Sequence, residues 1–206
     1  MKKLLVATNN EHKLIEIKEI LKDIDIEIVG LNEAGIDIEI DETGTTFREN
    51  AYLKAKGIFD FLKDKKNQYI VMSDDSGIAV DALNGAPGVF SARFDGEHGN
   101  SKKNNEKLLT LMKSVPYEKR TAKFICSIVL VEDEGDIIYV DGEVEGIVTE
   151  KECGIGGFGY DPIFFVPQFN KTFGELNSDE KNSISHRGRA LEKARVELIK
   201  IGYAKK

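Results

Sequence analysis

Short apolar runs alternate with amphipathic stretches through the first half of the chain. Leu4 to Ala7 predicts a strand, and it stops at the polar segment Thr8-Asn9-Asn10-Glu11-His12-Lys13. From about His12 to Lys22 a helix is predicted, with Leu14, Ile17, Leu21 and Ile24 on one stripe. Ile26 to Val29 reads as a second strand, and residues 31–45 as an acidic loop. Thr46 with Glu49 three residues on is a capping box. The helix it opens carries Phe47, Ala51, Ala55, Ile58 and Leu62 and ends near residues 63–66. Tyr69 to Met72 is short and partly β-branched, as a buried strand would be, and Ile78 to Leu83 alternates like another. Asn84-Gly85 closes that run with a turn.

The second half is richer in strands. Residues 86–94 have no clean period, whereas Ser101 to Lys113 predicts a helix with Leu108, Leu109 and Met112 inward. Phe124 to Val131 and Ile137 to Val140 flank Asp133-Glu134-Gly135-Asp136, a hairpin pattern, and Glu143 to Thr149 continues the sheet. Ile163 to Val166 is another strand. The last helix places Ala190, Ala194, Leu198 and Ile201 on one face, with Gly202 as its C-cap. Alternation early and paired strands later predict an α/β fold, a mixed sheet with helices packed on it.

Composition narrows the class. With 206 residues, 41% apolar and 32% charged, the chain can bury a sizeable core as one domain over 1–206. No apolar run is long enough to span a bilayer, and the N-terminal run is too short for a signal-peptide core. Cys126 and Cys153 form no disulfide framework or thiolate metal site, so a cytoplasmic protein is expected. A net charge of −7 argues against a nucleic-acid backbone as partner. One local cluster of Lys and Arg can still hold a small polyanion.

Several stretches carry candidate chemistry. Ser73-Asp74-Asp75-Ser76-Gly77 follows the Tyr69–Met72 strand. It is either a solvated turn or a site. On a strand the two carboxylates face opposite ways, whereas a turn at Asp75 would let both converge on one cation. Lys13 sits in the first helical turn, where the dipole does not reward a cation. A strand, polar loop and helix start there suit a phosphate, the other reading being an exposed helix lysine. Asp41 and Glu42, just before a helix, are either a solvated acidic loop or partner carboxylates for that cation. Arg93 could hold a carboxylate or phosphate, or pair with a structural Asp. Gly154-Ile155-Gly156-Gly157-Phe158-Gly159 has the letters of a dinucleotide fingerprint, but Tyr160-Asp161-Pro162 and a strand follow it rather than a helix. What remains is either a backbone that approaches a ligand closely, with Phe158 and Tyr160 able to stack on a base, or a glycine-rich connector with core aromatics. Lys181, His186 and Arg187 gather around a second helix start, so two cation-bearing helix starts suit two ends of one polyanion.

These blocks occur together and in order: Thr8 to Lys13, Phe47-Arg48-Glu49-Asn50-Ala51, Ser73 to Gly77, Gly85 to Arg93, Gly156 to Pro162 and Ser183 to Gly188. Over essentially its whole length the chain resembles the inosine/xanthosine triphosphate pyrophosphatases, house-cleaning enzymes for non-standard purine nucleotides. The resemblance implies an elongated mixed sheet flanked by helices, splitting into two lobes with the nucleotide in a cleft between them. It further implies a homodimer, a Mg²⁺ requirement, and hydrolysis of ITP, dITP and XTP to the monophosphate and pyrophosphate. By the same resemblance Thr8, Asn9, Asn10, Glu11, His12 and Lys13 bind phosphates. Asp75 is the catalytic carboxylate and a metal ligand, with Asp74 beside it, and Ser76 is a substrate contact. Phe158, Gly159, Tyr160 and Asp161 hold the base, and Lys181, His186 and Arg187 complete the nucleotide contacts. The family's metal-binding glutamate precedes Thr-Gly, so Asp41 and Glu42 both stand as candidates. A 6-oxo purine needs a donor at that position, for which His186-Arg187 is the expectation. Two other readings are a nucleotide-binding protein without chemistry, and a pyrophosphatase for modified pyrimidines or dUTP-like substrates.

Overall fold

Tyr69 to Val80 is one continuous strand, and the Asp-Asp-Ser-Gly segment lies inside it. The expectation of two strands separated by a turn is thereby corrected. Ser73 and Asp74 are fully buried and Asp75 nearly so. Buried backbone in this position needs ladder partners that a solvated turn would not supply. This computed structural model describes residues 2–97 and 99–204.

In chain order the elements are β1 (Lys3–Val6), α1 (Glu11–Ile20), β2 (Ile28–Gly30), α2 (Phe47–Phe61), β3 (Tyr69–Val80), α3 (Ser101–Met112), β4 (Thr121–Val131), β5 (Ile137–Val148), β6 (Phe164–Val166), β7 (Lys171–Thr172), α4 (Ser178–Ile184) and α5 (His186–Lys200). The strands form one sheet in the order β2-β1-β3-β4-β5-β6-β7. β1 runs parallel to β2 and β3, with Leu4 opposite Ile28 and Ile70, whereas β5, β6 and β7 pair antiparallel. The sheet is therefore mixed, as expected, and open. The hairpin and its continuation prove to be β4 and a single long β5, adjacent in the sheet.

The chain divides into two compact units. The first comprises Met1–Asp75, Cys126–Gly142 and Gly188–Lys206, and the second Ser76–Ile125 and Glu143–Arg187. In the first unit, strand alternation sorts the core onto two faces. Leu4, Val6, Ile70, Met72, Cys126 and Ile128 pack with Ile17 of α1, its C-cap Leu21, and Ala190, Ala194 and Leu198 of α5. Leu5, Ala7, Val71 and Val129 face the other way, onto Ala51, Ala55, Ile58 and Phe59 of α2. Of the helical stripes expected from spacing, Ile17, Leu21, Ile24, Ala51, Ala55, Ile58 and Leu62 are buried, whereas Leu14 and Phe47 are half-buried. The Thr46–Glu49 capping box is present at the start of α2.

The second unit is built on aromatic packing. Phe124, Phe164 and Phe173 lie with ring centroids 4.6 to 5.8 Å apart, among Ile78, Val80, Leu108, Met112 and Val148. α4 occupies Ser178–Ile184, ahead of the last helix, where the sequence reading expected no helix. Its start is signalled by a capping box of Asn177 and Glu180, and its turns bury only Lys181 and Ile184. Seven mostly polar residues leave no apolar period to find. Among the described residues, no helix is long and apolar enough to cross a membrane.

Candidate active site

Candidate residues fall into two sets, one in each unit. In the first, alternation along β3 decides where the paired carboxylates go. Asp74 shares the face of Met72, toward α1, while Ser73 and Asp75 share that of Val71, toward α2. Asp74 Oδ1 accepts from Lys13 Nζ at 2.5 Å, and its Oδ2 accepts from Cys126 Sγ at 3.0 Å. The Ser73 hydroxyl donates to the Ala51 carbonyl in α2. Asp75 is surrounded instead by Lys13, Lys54, Glu42 and Asn50. Burial pushes its carboxyl up to about 6; the Lys13 and Lys54 charges and the Asn50 amide pull the other way, and the Glu42 charge adds to the rise. The two carboxylates thus have different partners, as strand geometry requires.

Lys13 enters from α1. Asn10 caps that helix by accepting from the Lys13 amide at 3.2 Å, and the Asn10 amide donates to Thr8 Oγ1 at 3.1 Å. Thr8 and Lys13 are half-buried, whereas Asn9, Asn10, Glu11 and His12 are exposed. A short polar loop and a capped helix start therefore lie next to a lysine anchored on β3.

Glu42 reaches the same place from the acidic loop. Lys54 Nζ lies 2.5 Å from Glu42 Oε1 and donates at 3.3 Å to the Asp74 carbonyl. Asp41 is exposed, which separates the two candidates that the sequence left level. The loop is tied to α2 through the Gly44 amide, which donates to Asn50 Oδ1 at 2.8 Å, and through Glu49, which accepts from the Thr45 and Thr46 amides. Gly44 has to be glycine, since a Cβ there would sit 2.7 Å from both Asn50 Oδ1 and Glu49 Cβ. Sequence reasoning missed Asn50 and Lys54. The available signal was two polar residues one turn apart, beside the Ala51–Ala55 stripe.

Asp75 and Glu42 are hard carboxylate donors whose charges act on each other. Among the described residues no trio of His, Cys, Asp or Glu could hold an ion by itself. That donor set suits Mg²⁺, which is usually held by one or two carboxylates together with substrate phosphates.

The second set is centred on Asp161 and Phe158. Asp161 Oδ2 accepts from the Phe158 amide at 2.8 Å and from Lys181 Nζ at 2.7 Å, and both charged side chains are buried. Gly157 has φ +72, and a Cβ there would run into the Asp161 carboxylate. The glycine thus serves a carboxylate turn, not a dinucleotide. Lys181 Nζ lies 4.7 Å and the Arg187 guanidinium 5.5 Å from the Phe158 ring centre. Arg187 also donates to Ser76 Oγ at 2.8 Å. The His186 ring stacks on Phe124 at 4.6 Å, 8° from coplanar.

Two expectations change here. Lys181 belongs to the last turn of α4, where a cation is favoured, while His186 and Arg187 open α5. The Tyr160 ring is packed in the core, with its hydroxyl donating to the Ser91 carbonyl at 2.8 Å, and burial raises its pKa. Arg93 lies over the Phe90 ring at 5.3 Å. The helix Asn105, which carried no sequence signal, donates to the Gly159 carbonyl at 3.2 Å and to Glu152 at 3.1 Å.

The model of the Ham1 family matches residues 4–197. The chain is 57% identical over 199 residues to a dITP/XTP pyrophosphatase of Clostridium perfringens, covering 96% of this chain and 98% of the relative. It is 54% identical over 198 residues to the dITP/XTP pyrophosphatase of Clostridium tetani, covering 96% of each. Among solved structures, the Ham1 protein of Staphylococcus aureus superposes with a TM-score of 0.85 at 37% identity, covering 97% of this chain and 100% of that one. A HAM1 protein from Coxiella burnetii gives 0.85 at 38%, with the same coverage.

Proposed function

Because the chain belongs to the Ham1 family, we propose that it is a nucleoside-triphosphate pyrophosphatase that hydrolyses non-standard purine triphosphates, ITP, dITP and XTP, to the monophosphate and pyrophosphate. The observation that carries this reading is a buried carboxylate, Asp75, with its pKa raised to about 6 and two lysines beside it. A base poised there can take a proton from water near neutral pH.

In this reading residues 1–206 act as one catalytic domain. The Thr8–Lys13 loop, the α1 helix start and the Lys13 ammonium bind and orient the phosphates. Lys54 keeps Glu42 in place until substrate arrives. Asp75 and Glu42 would hold Mg²⁺, which when bound neutralises phosphate charge and polarises the phosphoryl oxygens. Asp75 accepts the proton of the attacking water, and Asp74 fixes Lys13. The Phe158 face takes the purine, bordered by the Gly159–Asp161 backbone and Ser76. Lys181 and Arg187 offer donors to a 6-oxo group, and His186 backs the pocket from its stack on Phe124. Adenine would leave such a donor unpaired, at a cost of about 1–3 kcal/mol. The homodimer and the cytoplasmic location belong to the same proposal, and light scattering in solution tests the dimer.

The deciding experiment measures pyrophosphate release with Mg²⁺ from ITP, XTP, ATP, GTP, CTP and UTP at one concentration. Release from ITP and XTP supports both reaction and base selection. Equal release from all six removes the selectivity claim, and no release leaves a binding protein. Arg187→Ala should cost ITP more than ATP; an equal loss would assign base reading elsewhere.

A further inference from the structure

The mechanism leaves one buried nucleophile unused, the thiol of Cys126. It sits on β4 with no exposure, and its Sγ donates to Asp74 Oδ2 at 3.0 Å. The other oxygen of that carboxylate accepts from Lys13 Nζ at 2.5 Å, and Lys13 also approaches the Asp74 carbonyl at 3.4 Å. An ammonium has three N–H donors. Two are directed at Asp74, which leaves the third for a phosphate oxygen. The placement of that third donor depends on the carboxylate plane, and the plane depends on what holds Oδ2.

We infer that Cys126 is a positioning residue for this reaction: its thiol fixes Asp74, which fixes Lys13 against the phosphates. This rests on the pyrophosphatase reading and extends it by one residue. The choice of side chain has a physical reason. Cys126 stands among Met72, Ile128 and Leu130, where a small apolar group packs well. The thiol also gives Asp74 a donor from that direction, and donors to a buried ionised carboxylate offset the cost of burying it. A thiol satisfies both demands, and serine or valine satisfies one each.

That split supplies the test. Cys126→Ser keeps a donor and gives up apolar volume, whereas Cys126→Val keeps apolar bulk and gives up the donor. If the thiol acts as a donor to Asp74, Ser should stay within about threefold of wild type in KM for ITP, and Val should raise KM by about tenfold. The effect of Val should also vanish in a Lys13→Ala background, because the two changes act along one chain. A second readout is independent of turnover. Binding of inorganic tripolyphosphate, followed by calorimetry, should weaken in Val and not in Ser. Wild-type release of pyrophosphate from ITP is measured first, so a failure of the enzymatic reading is seen apart from the variants. Equal KM and equal tripolyphosphate affinity in Ser and Val would overturn the inference. So would additivity of Val with Lys13→Ala. A packing role alone predicts the reverse order, with Ser losing thermal stability and both variants keeping KM.

Discussion

The two sets of candidate residues are built on opposite physical plans. In the first unit Lys13, Lys54 and Glu42 reach the buried Asp74 and Asp75 of β3 from other segments, and the two lysines remain within reach of water, with their side chains 15% and 17% exposed. In the second unit, the Lys181 side chain is only 6% exposed and its partner Asp161 4%. There the polar contacts are dry and the surroundings aromatic. A phosphate chain is bound by charges that must exchange one partner for another, so partial hydration lowers the cost of the exchange. A purine is bound by a flat wall and fixed donors, so dryness and rigidity help. Under the proposed function, hydration of the cations thus separates the phosphate-binding lysines from the buried lysine beside Phe158.

Asp75 is the position at which the two sets should differ most. Asp75→Asn should lower kcat by about 10²–10⁴-fold, the usual worth of a positioned general base. Thermal stability should hold or rise, because burial already disfavours the ionised carboxyl. Circular dichroism melts beside the kinetics check both halves. Loss of activity together with a lower Tm would place Asp75 with the structural residues instead.

Lys181→Met asks the opposite question of the second unit. It leaves the Asp161 carboxylate buried without its cation, which typically costs about 3–5 kcal/mol. The Phe158 amide would lose a firmly held acceptor as well. Urea unfolding should show a large fall in the midpoint, with an unchanged slope. Lys54→Met, in the wetter set, should cost far less stability. Equal costs would mean that exposure does not distinguish the sets.

Glu42 and Asp41 form a smaller contrast within one loop. Glu42→Gln should raise the Mg²⁺ concentration needed for half-maximal turnover, while Asp41→Asn should leave it unchanged. The reverse result would move the ligand to the exposed position. Only the structure separates these two residues, and the reason is general. Loop residues 31–45 carry no period, so nothing local says which carboxylate turns inward. The Thr46–Glu49 box and the α1 and α2 stripes were legible because each depends on residues within one turn. The course of β3 was not, because Asp-Ser-Gly reads locally as a turn and only its neighbours in the sheet keep it extended. Lys54, Asn50 and Cys126 were missed for the same cause, since each matters through a partner distant in sequence. α4 escaped because its polar residues show no face.

Tyr160 gives the mildest test. From the sequence its ring could stack on a base, yet the structure packs it against the core with its hydroxyl on the Ser91 carbonyl. Ser91 in turn accepts from the Ile78 amide at 3.0 Å and donates to the Gly88 carbonyl at 2.6 Å. Gly77 lies so close that a Cβ would meet Ser91. The hydroxyl therefore ties the residue after Gly159 to the strand beyond Ser76. Tyr160→Phe keeps the ring and removes one buried donor, a change worth about 0.5–1.5 kcal/mol. In a chain of this size that lowers Tm by roughly 1–6 °C. KM for ITP and the ratio of ITP to ATP turnover should stay unchanged, because the wall around Phe158 has its own supports in Asp161 and Lys181. A KM that rises while Tm stays put would mean that the hydroxyl meets the substrate, and Tyr160 would then return to the recognising set.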